Sequence, residues 1–177
     1  MSGSWRRDST NPIVSGHQEL IDLAQQVIKR ALLGHCDIAA ELVAAELRSK
    51  RVDRAFGLAL ALGEEALAAV WQSREDAIQR GVAWMPVMPE AGTGRMLSPA
   101  EEDIHPIVLA MRLLDALHRR LIGDQHATKD LGKVYETALT ASEEVFFGFY
   151  DALILYAVSA QRGDITVTVD NGGSEGG

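Results

Sequence analysis

Residues 131–160 read LGKVYETALTASEEVFFGFYDALILYAVSA, and the periodicity of this stretch decides the fold class. Leu131, Val134, Ala138, Ala141, Val145, Phe149, Ala152 and Tyr156 recur at steps of three and four, so they share one face of a helix. In the first half, the opposite face carries Lys133, Glu136 and Glu143. In the second half, Phe147, Tyr150, Ile154 and Val158 take that side. A helix that is apolar on both sides is buried on both sides. The stretch is therefore expected either as the central helix of a bundle or as one side of a subunit interface, with Phe147, Tyr150, Ile154 and Val158 as the interface residues.

The rest of the chain carries the same helical period. Ser15 followed by Gln18 is a capping-box pattern. Leu20, Ile21, Ala24, Val27, Ile28, Ala31 and Leu32 then form one stripe that ends at Gly34. Asp37 is placed to cap a short second helix with Ile38, Leu42 and Ala45 inward. A basic break over residues 48–54 precedes a third helix, with Val52, Phe56, Leu60, Gly63, Leu67, Val70 and Trp71 on one side and Leu58 and Leu62 on the other. That helix is expected to run to Gly81. Gly57 and Gly63 within it suit close packing by another helix.

Residues 81–98 hold two prolines and three glycines, which bars regular structure and predicts a long loop. Loops of this length are uncommon unless they bind something or are disordered. Trp84, Met85, Met88 and Met96 make this one too apolar for a plain linker, and they are its candidate binding residues. Ser98, Pro99 and Glu101 resemble a helix start, with Ser98 as N-cap and proline at the first position. Pro106 then predicts either a kink or a short first turn and a restart capped by Asp103. Ile107, Ala110, Met111, Leu114, Leu117 and Leu121 form the fourth stripe, ending at Gly123. Asp124 or Thr128 opens the last helix and Gly163 closes it. Beyond it, residues 165–169 (ITVTV) alternate apolar and polar, the pattern of a half-buried strand.

The expected fold is thus all-α. About five helices form a bundle-like domain over residues 15–163, with a flexible arm over 1–14 and a tail over 164–177 that holds a short extended segment.

Composition narrows the function classes. The net charge is -8, and it is uneven. Residues 1–97 carry 11 Lys/Arg against 12 Asp/Glu, and residues 98–177 carry 6 against 13, for nets of -1 and -7. Such a surface repels phosphate backbones and anionic membranes, so proteins, cations or small molecules are the expected partners. The single Cys36 rules out an internal disulfide and suits a reducing, cytoplasmic setting. No apolar run follows Arg6 and Arg7, so the start does not read as a signal peptide.

No catalytic motif is legible, and no cofactor is expected. Glu102 with His105, and Asp115 with His118, resemble the carboxylate–histidine pairs of di-iron bundles. Thirteen residues separate the two pairs on one expected helix, about 20 Å along its axis, so they cannot share a metal. Glu102 and His105 remain the only metal candidates, and weak ones. Residues 38–42 (IAAEL) with residues 49–55 (SKRVDRA) faintly resemble the helix-turn-helix of winged-helix repressors, without its glycine turn. Arg48, Lys50, Arg51 and Arg54 supply a local basic patch there.

The favoured expectation is a cytoplasmic interaction or regulatory protein that self-associates. The alternatives are a small-molecule or metal-binding helical protein with a pocket under the 81–98 loop, and a nucleic-acid-binding regulator using the basic turn.

Overall fold

The computed structural model describes residues 12–71, 85–90, 92–102 and 104–164, with side chains from His17 onward. Residues 1–11 of the expected arm, Trp84, Asp103 and the 165–169 segment lie outside the described residues, and residues 12–14, expected in the arm, belong to the first helix. Six helices and one small hairpin are described: α1 (Pro12–Leu32), α2 (Cys36–Arg48), α3 (Val52–Val70), β1 (Met88–Pro89), β2 (Met96–Leu97), α4 (Pro106–Leu121), α5 (Ala127–Thr140) and α6 (Glu143–Gln161). The all-α, bundle-like expectation holds. The chain divides into two compact units, Met1–Leu62 and Gly63–Gly177.

In the first unit, α1 begins at Pro12, so Ser15 lies inside the helix and is not its N-cap. Gln18 instead donates to Asp22 Oδ1 at 3.0 Å. The α1 stripe is as read: Leu20, Ala24, Val27, Ile28 and Ala31 are buried. The face of α2 is not. Ala39 and Val43 are buried, whereas Ile38 is 42% exposed and Ala45 is exposed. The buried face continues into Glu46, whose carboxylate takes two 3.0 Å hydrogen bonds from Arg54 of α3. Arg54 also donates to Glu19 of α1 at 3.3 Å, which joins the three helices. Asp37 does not cap α2. The N-cap is His35, without a side-chain hydrogen bond. In α3, Leu58 and Leu62 are fully buried, and of the side expected to face inward Gly63, Leu67 and the following Trp71 are buried while Phe56 and Leu60 are half-buried, so the helix is covered on both sides. A Cβ on Gly57 would meet Leu20 Cδ1 at 2.6 Å, the close helix approach that its small size permits.

In the second unit, the most deeply set helix is α4. Nine of its residues are buried, from Val108 and Leu109 through Leu113, Leu114 and Ala116 to His118. It packs against both α5 and α6. Its polar stripe is narrow: Arg112, Asp115 and Arg119 at steps of three and four. His118 is 1% exposed and stacks on Trp71 with ring centroids 5.4 Å apart.

The stretch 131–160 is two helices rather than one. Ala141 turns extended (φ -76, ψ -172), and Ser142 starts α6 by accepting from the Val145 N–H at 3.2 Å. Glu143 and Glu144 then sit in the first turn of α6, where the helix dipole favours acid. The last turn of α5 is already weakened. Thr137 and Thr140 hydroxyls bond the carbonyls four residues back, Lys133 O at 2.9 Å and Glu136 O at 2.8 Å.

Of the two readings of this stretch, the structure supports the buried helix. Tyr150, Ile154 and Val158 are 0%, 7% and 5% exposed within the chain itself, and Phe147 is half-buried. The Tyr150 hydroxyl lies 3.2 Å from that of Tyr135 on α5, with Phe146 and Phe149 edge-on around it. These side chains therefore need no second subunit to cover them.

Candidate functional site

The 81–98 segment, expected to be an irregular loop, holds a short hairpin in its described part. Met88 pairs with Leu97 and Pro89 with Met96. Side chains alternate across a hairpin, so Met88 and Leu97 share one face while Val87, Pro89 and Met96 share the other. Met88 and Leu97 are buried (5% and 1%), and the other face is open, with Met96 53% and Val87 39% exposed. Met85 and Ile104 at the margins are also exposed. Of the four loop residues singled out, Met85 and Met96 are thus presented outward, Met88 is core, and Trp84 lies outside the described residues.

A polar network fixes this hairpin to the start of α4. Glu90 N–H donates to Arg95 O at 2.7 Å and Gly94 N–H to Glu90 O at 2.9 Å, which closes the turn. Thr93 Oγ donates to Glu90 Oε1 at 2.7 Å. Arg95 reaches Glu101 Oε1 at 3.0 Å. The Arg112 guanidinium donates to the carbonyls of Pro99 and Glu101, which ties the incoming segment to α4. Ser98 caps only a single turn, with Ala100 N–H on its hydroxyl at 3.3 Å. The helix itself starts eight residues later, at Pro106. There proline needs no hydrogen-bond partner, and His105 is the N-cap.

His105 decides the metal reading. Its Nδ1 accepts from Ile107 N–H at 3.1 Å, and its Nε2 faces Glu90 Oε2 at 3.4 Å. The carboxylate at His105 is therefore Glu90 rather than Glu102, which is exposed. Asp115 bonds Arg119 while His118 stacks on Trp71, so that pair does not converge either. Among the described residues, no three His, Cys, Asp or Glu gather as a metal-binding group. Glu90 is not legible in the sequence as a partner of His105, because a loop fold sets their distance and no helical spacing announces it.

The Thr93 hydroxyl, with Arg95 and His105 beside it, holds the Glu90 carboxyl below the usual carboxylate range. A depressed folded-state value means that the ionised carboxylate stabilises the hairpin above its ordinary pKa, and that this contribution is lost as pH falls through the depressed one. Carbon-detected NMR titration should show a low midpoint for Glu90, and Thr93→Val should move it back up. An unshifted midpoint in both proteins would break the network.

A cleft of about 250 Å³ runs between α4 and α5, lined by Arg112, Asp115, Arg119, Asp130 and Lys133 with Pro99 and Val134. Most of its charges are internally matched. Arg119 pairs with Asp115 (3.0 Å), Asp124 (3.1 Å) and Asp130 (2.8 Å), and burial opposes while these carboxylates raise its already high pKa. This cluster staples the end of α4 to the start of α5. Three of the four cations of the basic turn near Arg51 are paired: Arg48 with Glu41, Arg51 with Asp53, and Arg54 with Glu46 and Glu19.

The chain matches no known family model, no curated protein and no solved structure. Among the described residues, no helix is long and apolar enough to cross a membrane.

Proposed function

We propose that the chain is a helical interaction module, regulatory in role and cytoplasmic, whose partner-binding surface is the outer face of the β1–β2 hairpin. The observation that carries this reading is the open apolar face of Val87, Pro89 and Met96 on a hairpin pinned from behind by Glu90, Arg95, Glu101 and His105. Water penalises apolar surface that is left uncovered, and the flexible, polarisable methionine side chain adapts to varied partners. A preorganised hairpin also loses less conformational freedom on binding than a loose loop would. Three of the four cations of the basic turn already pair with carboxylates of the chain, which weighs against the nucleic-acid alternative.

The reading is tested with a photo-reactive residue at Met96 in the full chain, expressed in its native cells. A discrete crosslinked adduct is expected, reduced at least several-fold by Val87→Glu. Crosslinking no greater than from a control position at the exposed Leu33 would remove the hairpin from consideration.

A further inference from the structure

We propose that the segment just before α1 folds back along α2, with Trp5 seated on the apolar stripe of Ile38 and Leu42. The surface belongs to the first unit and is independent of the hairpin. Helix α2 turns only Ala39 and Val43 fully inward. Ile38, Leu42 and Ala45, at steps of four and three, are left facing out: Ile38 is 42% exposed, Leu42 is half-buried and Ala45 is exposed. Asp37 and Glu41 stand one position before Ile38 and Leu42, so they edge the stripe, and Arg48 continues that edge two turns on. The Asp37 carboxylate has no partner among the described residues. Glu41 has only Arg48, at 3.7 Å, with both side chains largely exposed.

Residues 4–8, SWRRD, carry what this surface lacks. Trp5 offers a large apolar body for Ile38 and Leu42. Arg6 and Arg7 are two cations for the two acids of the edge, and Asp8 is one acid for Arg48. The order along the chain fits as well. A short turn joins α1 to α2 and the two helices pack together, so they run antiparallel. Arg54 holds Glu19 and Glu46 on one guanidinium, which sets the two residues level. Pro12 lies seven residues before Glu19, about 10 Å down the axis, and Leu42 lies four residues before Glu46, about 6 Å up it. With helix axes about 8–10 Å apart, Leu42 is about 19 Å from Pro12. Trp5 precedes Pro12 by seven residues, an extended reach of about 23 Å. A nearly extended segment therefore brings Trp5 to Leu42 and Ile38. Asp8, nearer Pro12, then falls toward Arg48, at the end of α2 closer to the level of Pro12.

The test is methyl and indole NMR of the full chain. Nuclear Overhauser contacts are expected from the Trp5 indole to the Ile38 and Leu42 methyls, whose shifts the ring displaces. Trp5→Ser should remove both the contacts and the displacement, and should leave the equally exposed Leu155 methyls unmoved. R6E/R7E should lower the docked fraction several-fold, as should high salt, because exposed charge pairs are screened. Adding D37R/E41R to R6E/R7E should restore docking, since the cross-pairing is then reversed. Trp5→Ser lies outside every described helix, so its result stands even if a charge variant of α2 fails to fold. Ile38 and Leu42 methyl shifts that ignore Trp5→Ser overturn the proposal. Docking that is indifferent to both R6E/R7E and salt overturns it too.

Discussion

Leu114→Ala is expected to lower folding stability by about 2–5 kcal/mol, the range for deleting a fully buried leucine from a packed core. Leu114 has no exposed surface, and α4 carries it in the middle of the second unit. Its neighbours Leu113 and Leu117 are held by α5, α6 and the close approach of Gly63, so the hole cannot collapse easily. Leu155→Ala, on the exposed side of α6, should stay within about 0.5 kcal/mol. Urea denaturation of the full chain at low concentration, followed by helical circular dichroism, measures both. Equal effects would show that α4 is not the packing centre, and a larger effect at Leu155 would invert the assignment of faces on α6.

Two glycine-to-alanine changes are expected to act with opposite sign. Gly148 faces the start of α4, and a Cβ there would stand 2.9 Å from both Cβ and Cγ of Pro106. The proline ring is rigid and sits at the first turn of α4, so α6 must move away from it. Overpacking of this kind typically removes about 1–3 kcal/mol, more than the helix-propensity gain of about 1 kcal/mol from alanine. Gly132 lies in α5 with nothing within 4 Å of the added methyl. Gly132→Ala should therefore stabilise by about 0.5–1 kcal/mol. The melting temperature should fall for Gly148→Ala and rise for Gly132→Ala. A rise for both would mean that α6 does not rest on Pro106.

Function was legible only as a preference for surfaces over chemistry. The 81–98 segment is too apolar for a linker, and Met96 is exposed on it. What makes it a candidate site is the alternation imposed by β pairing, which sends Met88 inward and Met96 outward. No spacing in the sequence ties Glu90 to His105, fifteen residues away. The Glu102–His105 spacing, which does suit a helix, is unused because His105 lies just before the helix as its cap.

The sequence by itself determined that the chain is helical, where most helices stop, and which face of α1 is buried. These follow from local physics: the period of the apolar residues, and glycines at Gly34, Gly123 and Gly163 that take positive φ. It did not determine the break at Ala141 and Ser142. The apolar steps from Ala138 through Ala141 to Val145 run straight across it, and Ser142 with its two glutamates reads equally well as a cap or as a solvated turn. Nor did it determine the face of α2, where alanines on every side leave the stripe poorly defined and the ion pair of Glu46 with Arg54 selects Ala39 and Val43. Tertiary structure decided which helix is central. Both α4 and α6 are apolar enough for that place, but only packing against α5 shows that α4 is enclosed and that Tyr150, Ile154 and Val158 are covered by their own chain. Periodicity reports how much of a helix must be buried. What buries it is a property of the neighbours, and these are brought together only by the fold.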